Sequence, residues 1–384
     1  MHRMLVLADD LTGALEVGAK FAATGAGVMV QTNLRSPLNK CQEEPVLVVD
    51  TETRHTPPGQ ARQIVSDLSR AASEAGFHYV YKKTDSTLRG NITAEIKGLC
   101  DAFPDSSLLY VPAYPKMGRT VRAGVLYVDG IPVTDTSFAR DGLNPVRESY
   151  IPRLLSADCA QPVIPTTAGN LTVPLAAGIY VCDGEDDADL EIAARKLVQS
   201  ASCRLAAGPA GFVSHLASLV DLPRTTPPGL PLIQRVLVVN GSRSDVSIGQ
   251  IQYAIHQGWA PISVDGLADG REKNGWVILE EPVGNCGHVE FSRRLSDAVQ
   301  SILCREEFEA VLVSGGDTAY AILDALGITH IRPIGEVVEG VPISAVSRNT
   351  AGFKGDAPLY LISKAGGFGP VDVLSLIRGK LTRG

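Results

Sequence analysis

Residues 81–90 read YKKTDSTLRG and bring lysine, aspartate, hydroxyl and arginine side chains together directly after an apolar run. Carboxylates accept hydrogen bonds from sugar hydroxyls, whereas lysine and arginine bind the anionic end of a ligand. The stretch is therefore typical of a site for a small hydroxylated acid. The alternative is an ordinary loop in which Asp85 and Ser86 serve as turn and cap residues. Such a loop has no need of Lys83 or Arg89.

Polar and charged side chains also follow other apolar runs in the first half of the sequence. If these runs are parallel strands, their carboxyl ends meet at one edge of the sheet, where open α/β sheets bind ligands. The residues expected at that edge are Asp9, Asp10, Thr12, Gly13, Asp50, Thr51, Glu52, Thr53, Arg54, Lys82, Lys83, Thr84, Asp85, Ser86, Arg89, Gly90, Asn91, Pro112, Tyr114, Lys116 and Arg119. They carry charges of both signs and few aromatic rings, which fits a small polyhydroxy acid or sugar. Asp10 or Thr12 could instead merely cap the first helix.

Three glycine- and serine-containing segments in the second half indicate phosphate binding. They are NGSRSD, SGGDTA and KAGGFG, at residues 240–245, 314–319 and 364–369, and each follows an apolar run. Glycine lets backbone N–H groups approach a ligand closely, and helix N-termini favour phosphate. The alternative is a set of tight packing turns. The sequence has neither the P-loop pattern GxxxxGK nor GxGxxG, so an ordinary P-loop NTPase is excluded.

The apolar pattern predicts the elements that position these loops. Short runs rich in β-branched residues alternate with amphipathic helical periods, which is typical of parallel sheets covered by helices on both faces. The alternation stops at residues 221–231, which hold four prolines and a glycine, and then restarts. We therefore predict an α/β protein of two domains, residues 1–228 and 229–384, each with a mainly parallel sheet. The dipeptide Asp129-Gly130 predicts a hairpin inserted in the first domain.

Composition and charge exclude several classes of protein. The sequence is 45% hydrophobic and 20% charged, as in globular proteins, and its net charge of −7 argues against general nucleic-acid binding. No apolar run approaches the length of a membrane span, and the N-terminus does not resemble a signal peptide. The seven cysteines have no CxxC spacing, so we expect buried free thiols in a reducing cytoplasm rather than a metal site. Asp129 and Asp135 fit turns, and the acidic residues 183–191 fit a solvated helix start.

The order of short motifs along the chain resembles that of the four-carbon acid sugar kinases. The motifs are LADDLTGALEVG, YKKTDSTLRGN, VPAYPKMGRT with VDGIPVTDT, GPAG, VVNGS, SGGDTA and SKAGGFG. The resemblance covers nearly the whole chain and implies a sugar-acid-binding domain followed by a nucleotide-binding domain, with the active site in the cleft between them. It implies ATP-dependent phosphorylation of D-threonate, D-erythronate or 3-oxo-tetronate. Ala365 replaces a serine frequent in the family, so a hydroxyl contact there is impossible.

The resemblance also implies roles for individual residues. Asp9, Asp10 and Asp85 would bind substrate hydroxyls, and one of them would take the proton from the attacking hydroxyl. The acid would be bound by Lys83, Arg89, Gly90, Asn91 and Arg119, with Arg89 holding the carboxylate, helped by Lys83 or Arg119. ATP would contact Ser242, Ser244, Gly315, Gly316, Asp317, Thr318, Gly366 and Gly367. Mg²⁺ would bridge the β- and γ-phosphates, with Asp317 as an outer contact.

Two other functions are compatible with the same residues. One is a kinase for a similar hydroxy acid such as 4-hydroxy-L-threonine, whose amino group would need an additional acidic partner. The other is a non-catalytic sensor of a sugar acid and a nucleotide, which an ADP-release assay distinguishes from a kinase. We expect a cytoplasmic protein without nucleic-acid or membrane partners, and a homodimer is the common default for its oligomeric state.

Overall fold

The computed structural model describes residues 2–34, 44–156, 159–200, 204–262, 275–279, 287–347 and 357–382. The chain divides into two compact units, one of residues 1–29 and 33–226 and the other of residues 30–32 and 227–384. The division after Thr226 lies within the proline-rich segment 221–231, where the apolar pattern stops.

The first unit is built on a parallel sheet, as the continuous apolar runs predict. The strands from the first half of the chain are β1 (Met4–Ala8), β2 (Val28–Gln31), β3 (Val46–Asp50), β4 (Tyr79–Lys83), β5 (Ser107–Tyr110), β6 (Arg119–Arg122), β7 (Val125–Val128), β8 (Ile131–Pro132), β9 (Val163–Thr166), β10 (Gly178–Cys182) and β11 (Leu205–Gly208). Seven of them pair in the order β3-β1-β4-β11-β5-β10-β9, and each of these pairings is parallel. Every residue of β1 and β3 is buried, because helices cover both faces of the sheet.

Among the described helices of the first unit, four begin after a capping aspartate or a proline. The helices of this unit are α1 (Leu11–Ala22), α2 (Pro58–Glu74), α3 (Ile92–Ala102), α4 (Ile151–Ser156), α5 (Asp187–Gln199) and α6 (Ala210–Leu219). The Asp186 side chain caps α5, and further aspartates occupy its first turn, so the acidic segment is the helix start that the sequence predicts.

The predicted hairpin is confirmed. Strands β6, β7 and β8 form a separate antiparallel sheet. Asp129 and Gly130 connect β7 to β8 with φ values of 50° and 81°. Both residues are left-handed, as a two-residue hairpin turn requires, which accounts for Asp129 as a turn residue.

The second unit has a mixed sheet. Its strands are β12 (Val236–Asn240), β13 (Ala260–Ile262), β14 (Trp276–Leu279), β15 (Ala310–Ser314), β16 (His330–Val338), β17 (Val341–Val346) and β18 (Leu359–Lys364). The pairings along β13-β14-β12-β15-β18 are parallel, and β17 and β16 continue the sheet antiparallel. Its helices are α7 (Asp245–His256), α8 (His288–Arg305), α9 (Gly316–Ala325) and α10 (Val373–Thr382).

The cysteines agree only in part with the expected buried thiols. Cys100 and Cys182 are free and buried, Cys159 is half-buried and Cys304 is exposed, while Cys41, Cys203 and Cys286 lie outside the described residues. Over the described part of the chain, no helix combines the length and the apolar character needed to cross a membrane.

Candidate active site

The ends of three neighbouring strands bring the predicted acid-binding loops together. In the register of the sheet, Ala8 at the end of β1 lies beside Asp50 of β3 and beside Lys83 of β4. The segments that follow these residues therefore start side by side at one edge of the sheet. This is the edge at which the sequence predicts the site.

Arg54, in the loop after β3, joins these segments. Its Nε lies 2.7 Å from Asp9 Oδ2, its Nη1 lies 2.6 Å from Asp10 Oδ2 and its Nη2 lies 3.6 Å from Asp85 Oδ1. Burial favours the neutral form, but the three carboxylates outweigh it and raise the pKa of Arg54 well above its usual value. Arg54 follows the apolar run of β3 in the sequence, yet only the structure shows that it has three acidic partners.

Asp85 organises the loop that follows β4. Its carboxylate accepts hydrogen bonds from the Thr87 N–H at 3.1 Å and from Arg89 Nε and Nη2 at 3.0 and 2.8 Å. Burial alone would raise the pKa of Asp85, but Arg89 and Arg54 hold it well below its usual value. Gly90 turns the chain with φ of 84°, and a Cβ atom there would lie 3.0 Å from Arg54 Cγ. Asp85 is therefore a well-stabilised anion with its acceptors in use.

Asp9 and Asp10 differ in their free hydrogen-bonding capacity. Asp10 caps α1, because its Oδ1 accepts from the Gly13 N–H at 2.9 Å, and its other oxygen is bound by Arg54. Asp9 is only 1% exposed, and its Oδ1 has no hydrogen-bond partner among the described residues. Burial raises the pKa of Asp9, but Arg54, Lys83 and Lys82 together bring it below its usual value. Asp9 thus holds a charged, unpartnered oxygen at the sheet edge.

Lys83 and Arg119 are cations without a carboxylate within 4.0 Å among the described residues. Lys83 is 5% exposed. Its Nζ lies over the first turn of α1, since a Cβ atom on Gly13 would be 2.5 Å from it. The same Cβ position is 2.7 Å from Asp10 Oδ1. Arg119 donates from Nη1 to the Met117 carbonyl, while its buried Nε has no partner, and burial lowers its pKa.

A buried polar network supports the loop that carries Arg54. Lys82 Nζ lies 3.1 Å from Glu95 Oε2, and both side chains are fully buried. The Thr53 hydroxyl donates to the other oxygen of Glu95. Asn91 Nδ2 donates to the carbonyls of Thr53 and Thr56, at 2.7 Å each. The amide of Asn91, expected to bind the acid, is thus used to fasten this loop.

The glycine-containing loops of the second unit also meet at strand ends. Asn240, Ser314 and Lys364 are neighbours in the register of β12, β15 and β18. A Cβ atom on Gly366 would overlap the Ser242 hydroxyl, and one on Gly241 would overlap Thr318. The loops therefore interlock through positions that only glycine can occupy.

The hydroxyl groups expected to contact ATP are used within these loops. Ser244 Oγ accepts from the Ser247 N–H at 3.2 Å and from Ser242 Oγ at 3.1 Å, and it donates to the Gly366 carbonyl at 2.9 Å. Thr318 Oγ1 lies 3.1 Å from Ser292 Oγ in the interior. The serine and threonine hydroxyls are therefore engaged within the loops, which leaves backbone N–H groups and the exposed Arg243 of the same segment as candidate phosphate donors.

The best-placed N–H groups belong to the start of α9 and to the segment after β18. Gly315 is the N-cap residue of α9 and has a positive φ of 111°, which glycine adopts readily, and the helix begins at the next residue, Gly316. The first N–H groups of a helix, here those of Gly316, Asp317 and Thr318, have no intrahelical acceptor. Asp317 is exposed in this first turn. Among the described residues, no group of three or more His, Cys, Asp or Glu side chains could hold a metal ion.

Residues 4–216 match the family model of a sugar-binding N-terminal domain, and residues 284–374 match that of a nucleotide-binding C-terminal domain. The chain is 33% identical to the D-threonate kinase of Bordetella bronchiseptica, over 96% of this chain and 95% of that protein. It is 27% identical to the D-erythronate kinase of Heliobacterium modesticaldum, over 97% of this chain and 95% of that one.

A third relative is the 3-oxo-tetronate kinase of Cupriavidus necator, to which the chain is 24% identical over 97% of its own length and 96% of the relative's. Among solved structures, a Haemophilus influenzae protein superposes with a TM-score of 0.73 at 19% identity, covering 98% of this chain and 100% of that chain. This last likeness shows a shared fold.

Proposed function

Because the chain belongs to the four-carbon acid sugar kinase family, we propose that it transfers the γ-phosphate of ATP to the terminal hydroxyl of a four-carbon sugar acid. The acids considered are D-threonate, D-erythronate and 3-oxo-tetronate, after which its relatives are named. One observation carries this proposal for the first unit. The buried Lys83 ammonium, which has no carboxylate within 4.0 Å among the described residues and interacts only at longer range with Asp9 and Glu16, accompanies a buried carboxylate oxygen without a donor, on Asp9.

Lys83 and Arg119 are our candidates for binding the substrate carboxylate. Neither has a carboxylate within 4.0 Å among the described residues, and the acidic groups that act on them do so at longer range, so an incoming anion would supply a direct partner. Arg89 already donates from Nε and Nη2 to Asp85. Its Nη1 also lies 3.6 Å from Asp141 Oδ2. A guanidinium has five N–H donors, so Arg89 still has donors beyond those that Asp85 and Asp141 use. We therefore assign Arg89 a shared role, holding both Asp85 and the substrate.

We propose Asp9 as the group that accepts the proton of the attacking hydroxyl. Asp10 is occupied by the helix cap and Arg54, and Asp85 by Thr87 and Arg89. A proton acceptor must be within hydrogen-bond reach of the hydroxyl, and of these three aspartates Asp9 has an oxygen, Oδ1, without a hydrogen-bond partner among the described residues. A base with a lowered pKa suffices, because loose phosphoryl transfer depends mainly on positioning and on charge stabilisation.

The second unit would hold the nucleotide by its backbone. We propose that the N–H groups at the start of α9 and those of Gly366 and Gly367 bind phosphate oxygens, helped by the positive end of the helix dipole. Gly315, Ser242 and Ser244 would shape these loops.

Mg²⁺ fits this chain as an ion held mainly by the nucleotide. Mg²⁺ commonly keeps several waters and needs only one or two protein carboxylates. The described residues offer no three-ligand cluster, and exposed Asp317 is our candidate outer contact. When bound, Mg²⁺ would neutralise phosphate charge. A reaction that consumes ATP also fits the cytoplasm, where we propose that it takes place.

An ADP-release assay with ATP, Mg²⁺ and a panel of four-carbon acids tests the proposal. We expect turnover with at least one of D-threonate, D-erythronate and 3-oxo-tetronate. Turnover with 4-hydroxy-L-threonine alone would change the substrate class. Binding of both an acid and ATP without any ADP release would instead indicate a sensor.

A further inference from the structure

Lys364, the last residue of β18, has a buried side chain that is only 1% exposed. Its Nζ donates to the carbonyls of Ala365 at 2.8 Å, Gly366 at 3.4 Å and Phe368 at 3.1 Å. The ammonium has three N–H donors, and these three carbonyls use them all. The Lys364 side chain thus lies on the inner side of the segment KAGGFG, and the carbonyls of Ala365, Gly366 and Phe368 point inward to its ammonium.

Gln250 of α7 acts on the same segment from its other end. It is 1% exposed, and its Nε2 lies 2.9 Å from the Phe368 carbonyl, 2.9 Å from that of Gly369 and 3.0 Å from that of Pro370. The carbonyls of this tight turn are therefore satisfied from the interior by two side chains.

The direction of the carbonyls fixes the direction of the N–H groups. In a planar trans peptide the C=O and the following N–H point to opposite sides. Since the carbonyls of Ala365 and Gly366 face Lys364, the N–H groups of Gly366 and Gly367 face away from it. Neither N–H donates a hydrogen bond to another described residue. Two adjacent N–H groups with one orientation form a concavity that binds anions.

We infer that Lys364 and Gln250 are positioning residues for the nucleotide phosphates, holding the segment 364–369 so that its N–H groups bind phosphate oxygens. This inference rests on the proposed function, because it takes the phosphates as the ligand. Lys364 acts through the backbone and does not touch the nucleotide.

The charge of Lys364 adds to the effect of its hydrogen bonds. No carboxylate among the described residues lies within 4.0 Å of its Nζ. The side chains of Gln250, Ser242 and Ser244 that contact the loop are neutral. The carboxylate of Glu336 accepts from the Gly340 N–H beside the Phe368 ring. Burial lowers the pKa of Lys364 to about 8, and no other described titratable group contributes to that shift. A phosphate bound to the outer side of the loop would supply the missing negative charge.

Calorimetric titration with ADP in Mg²⁺ buffer tests this inference. In K364M, which keeps an unbranched side chain one atom shorter but loses its donors, we expect ADP affinity to fall by about tenfold or more. Binding of the four-carbon acid should remain unchanged. Q250L should weaken ADP binding in the same direction. K380M, which alters an exposed lysine of α10, is the matched control and should bind ADP normally.

A pH series on the wild-type protein provides a second measurement that does not depend on the variant's folding. A neutral amine has lost its charge and one donor, so ADP affinity should decline as the pH rises through about 8. The same decline should persist in Q250L and be absent from K364M. ADP itself keeps a constant charge over this range.

The outcomes separate this inference from the proposed function. If K364M is folded and binds ADP within about twofold of wild type, the positioning role of Lys364 is wrong, while the proposed nucleotide site still stands. A wild-type ADP affinity that stays flat from about pH 7 to 9.5 leads to the same conclusion. Failure of the wild-type protein itself to bind ADP would overturn the proposed nucleotide site.

Discussion

Arg54 Nε lies 2.7 Å from Asp9 Oδ2, and this contact fastens the loop after β3 to the residue that follows β1. It occupies one oxygen of Asp9 and orients the other, which has no partner. The proposed acid site is thus pre-organised by internal ion pairs. Substitutions that break these pairs should therefore affect stability and catalysis together, whereas changes at unpartnered groups should affect catalysis more selectively.

Asp9→Asn should lower kcat by about 10²- to 10⁴-fold, the usual contribution of a positioned proton acceptor. Binding of the acid should change far less, because an amide still accepts a hydrogen bond from a hydroxyl. Steady-state kinetics with calorimetric acid binding measures both. Asp135→Asn, in an exposed turn, is the control and should behave as wild type. A kcat for Asp9→Asn within about threefold of wild type would remove Asp9 from this role.

Arg54→Met should lower the free energy of unfolding by about 3–5 kcal/mol, because Asp9 and Asp10 would lose a buried cationic partner. Urea unfolding followed by circular dichroism measures the change. Arg70→Met removes an exposed arginine that contacts Asp67 at 3.3 Å, and it should cost no more than about 1 kcal/mol. Equal losses of unfolding free energy in the two variants would show that the ion pairs of Arg54 do not stabilise this edge of the sheet.

Asp85 should stabilise the protein in a pH-dependent manner. Its pKa is well below the ordinary value of 3.8 in the folded state, so its contribution is present above about pH 3.8 and is lost as the pH falls through the folded pKa. The difference in unfolding free energy between wild type and Asp85→Asn should therefore be largest near neutral pH and shrink in strong acid. A difference that is constant from neutral pH to about pH 2 would contradict this expectation.

Arg89→Ala should reduce kcat/KM for the acid by about 30- to 1,000-fold, which corresponds to roughly 2–4 kcal/mol for a lost charge-assisted pair. ATP binding should be unaffected, since Arg89 belongs to the first unit. Arg89→Lys should restore only part of the activity, because an ammonium cannot reproduce the two-point contact with Asp85. A loss below about threefold for Arg89→Ala would assign the arginine to loop structure alone.

Gly366 and Gly367 should respond differently to an added methyl group. A Cβ on Gly367 meets nothing within 4 Å, whereas one on Gly366 overlaps Ser242. Gly367→Ala should therefore leave the unfolding free energy within about 0.5 kcal/mol of wild type while weakening ADP binding. Gly366→Ala should weaken both. Thermal unfolding and ADP titration of the two variants decide this, and normal ADP binding by Gly367→Ala would exclude that face of the loop as the phosphate site.

The positions of the loops could be predicted from sequence, because parallel strands place their carboxyl ends at one edge. Asp9, Asp85 and Lys83 each follow or end an apolar run, and the register of β1, β3 and β4 brings them together. The hairpin at Asp129 was equally predictable, since its turn type demands residues that tolerate left-handed φ.

The partners of these side chains could not be predicted. Spacing along the chain does not reveal that Arg54 binds three carboxylates, or that the Ser244 hydroxyl is used by the Gly366 carbonyl. Such contacts depend on distances across the sheet edge and between loops far apart in sequence. Glu95 shows the same limit. A glutamate in the first turn of a helix is normally solvated and interacts favourably with the helix dipole, whereas Glu95 is fully buried and paired with Lys82.

The fully buried pair of Lys82 and Glu95 constrains how this sequence can change over time. Losing either partner alone leaves an uncompensated charge in the interior, at a cost of about 3–5 kcal/mol. Joint replacement by apolar residues removes both charges but leaves the Thr53 hydroxyl and the Leu7 and Lys83 carbonyls without their present partner, so it should cost less than the sum of the two single changes. The effects of substitutions at the two positions on stability are therefore not additive, and either single variant should be less stable than the additive expectation from the double variant implies. A double-mutant cycle of Lys82→Met and Glu95→Leu measures the coupling free energy between the two side chains, and additive changes in the free energy of unfolding would show that they are not coupled.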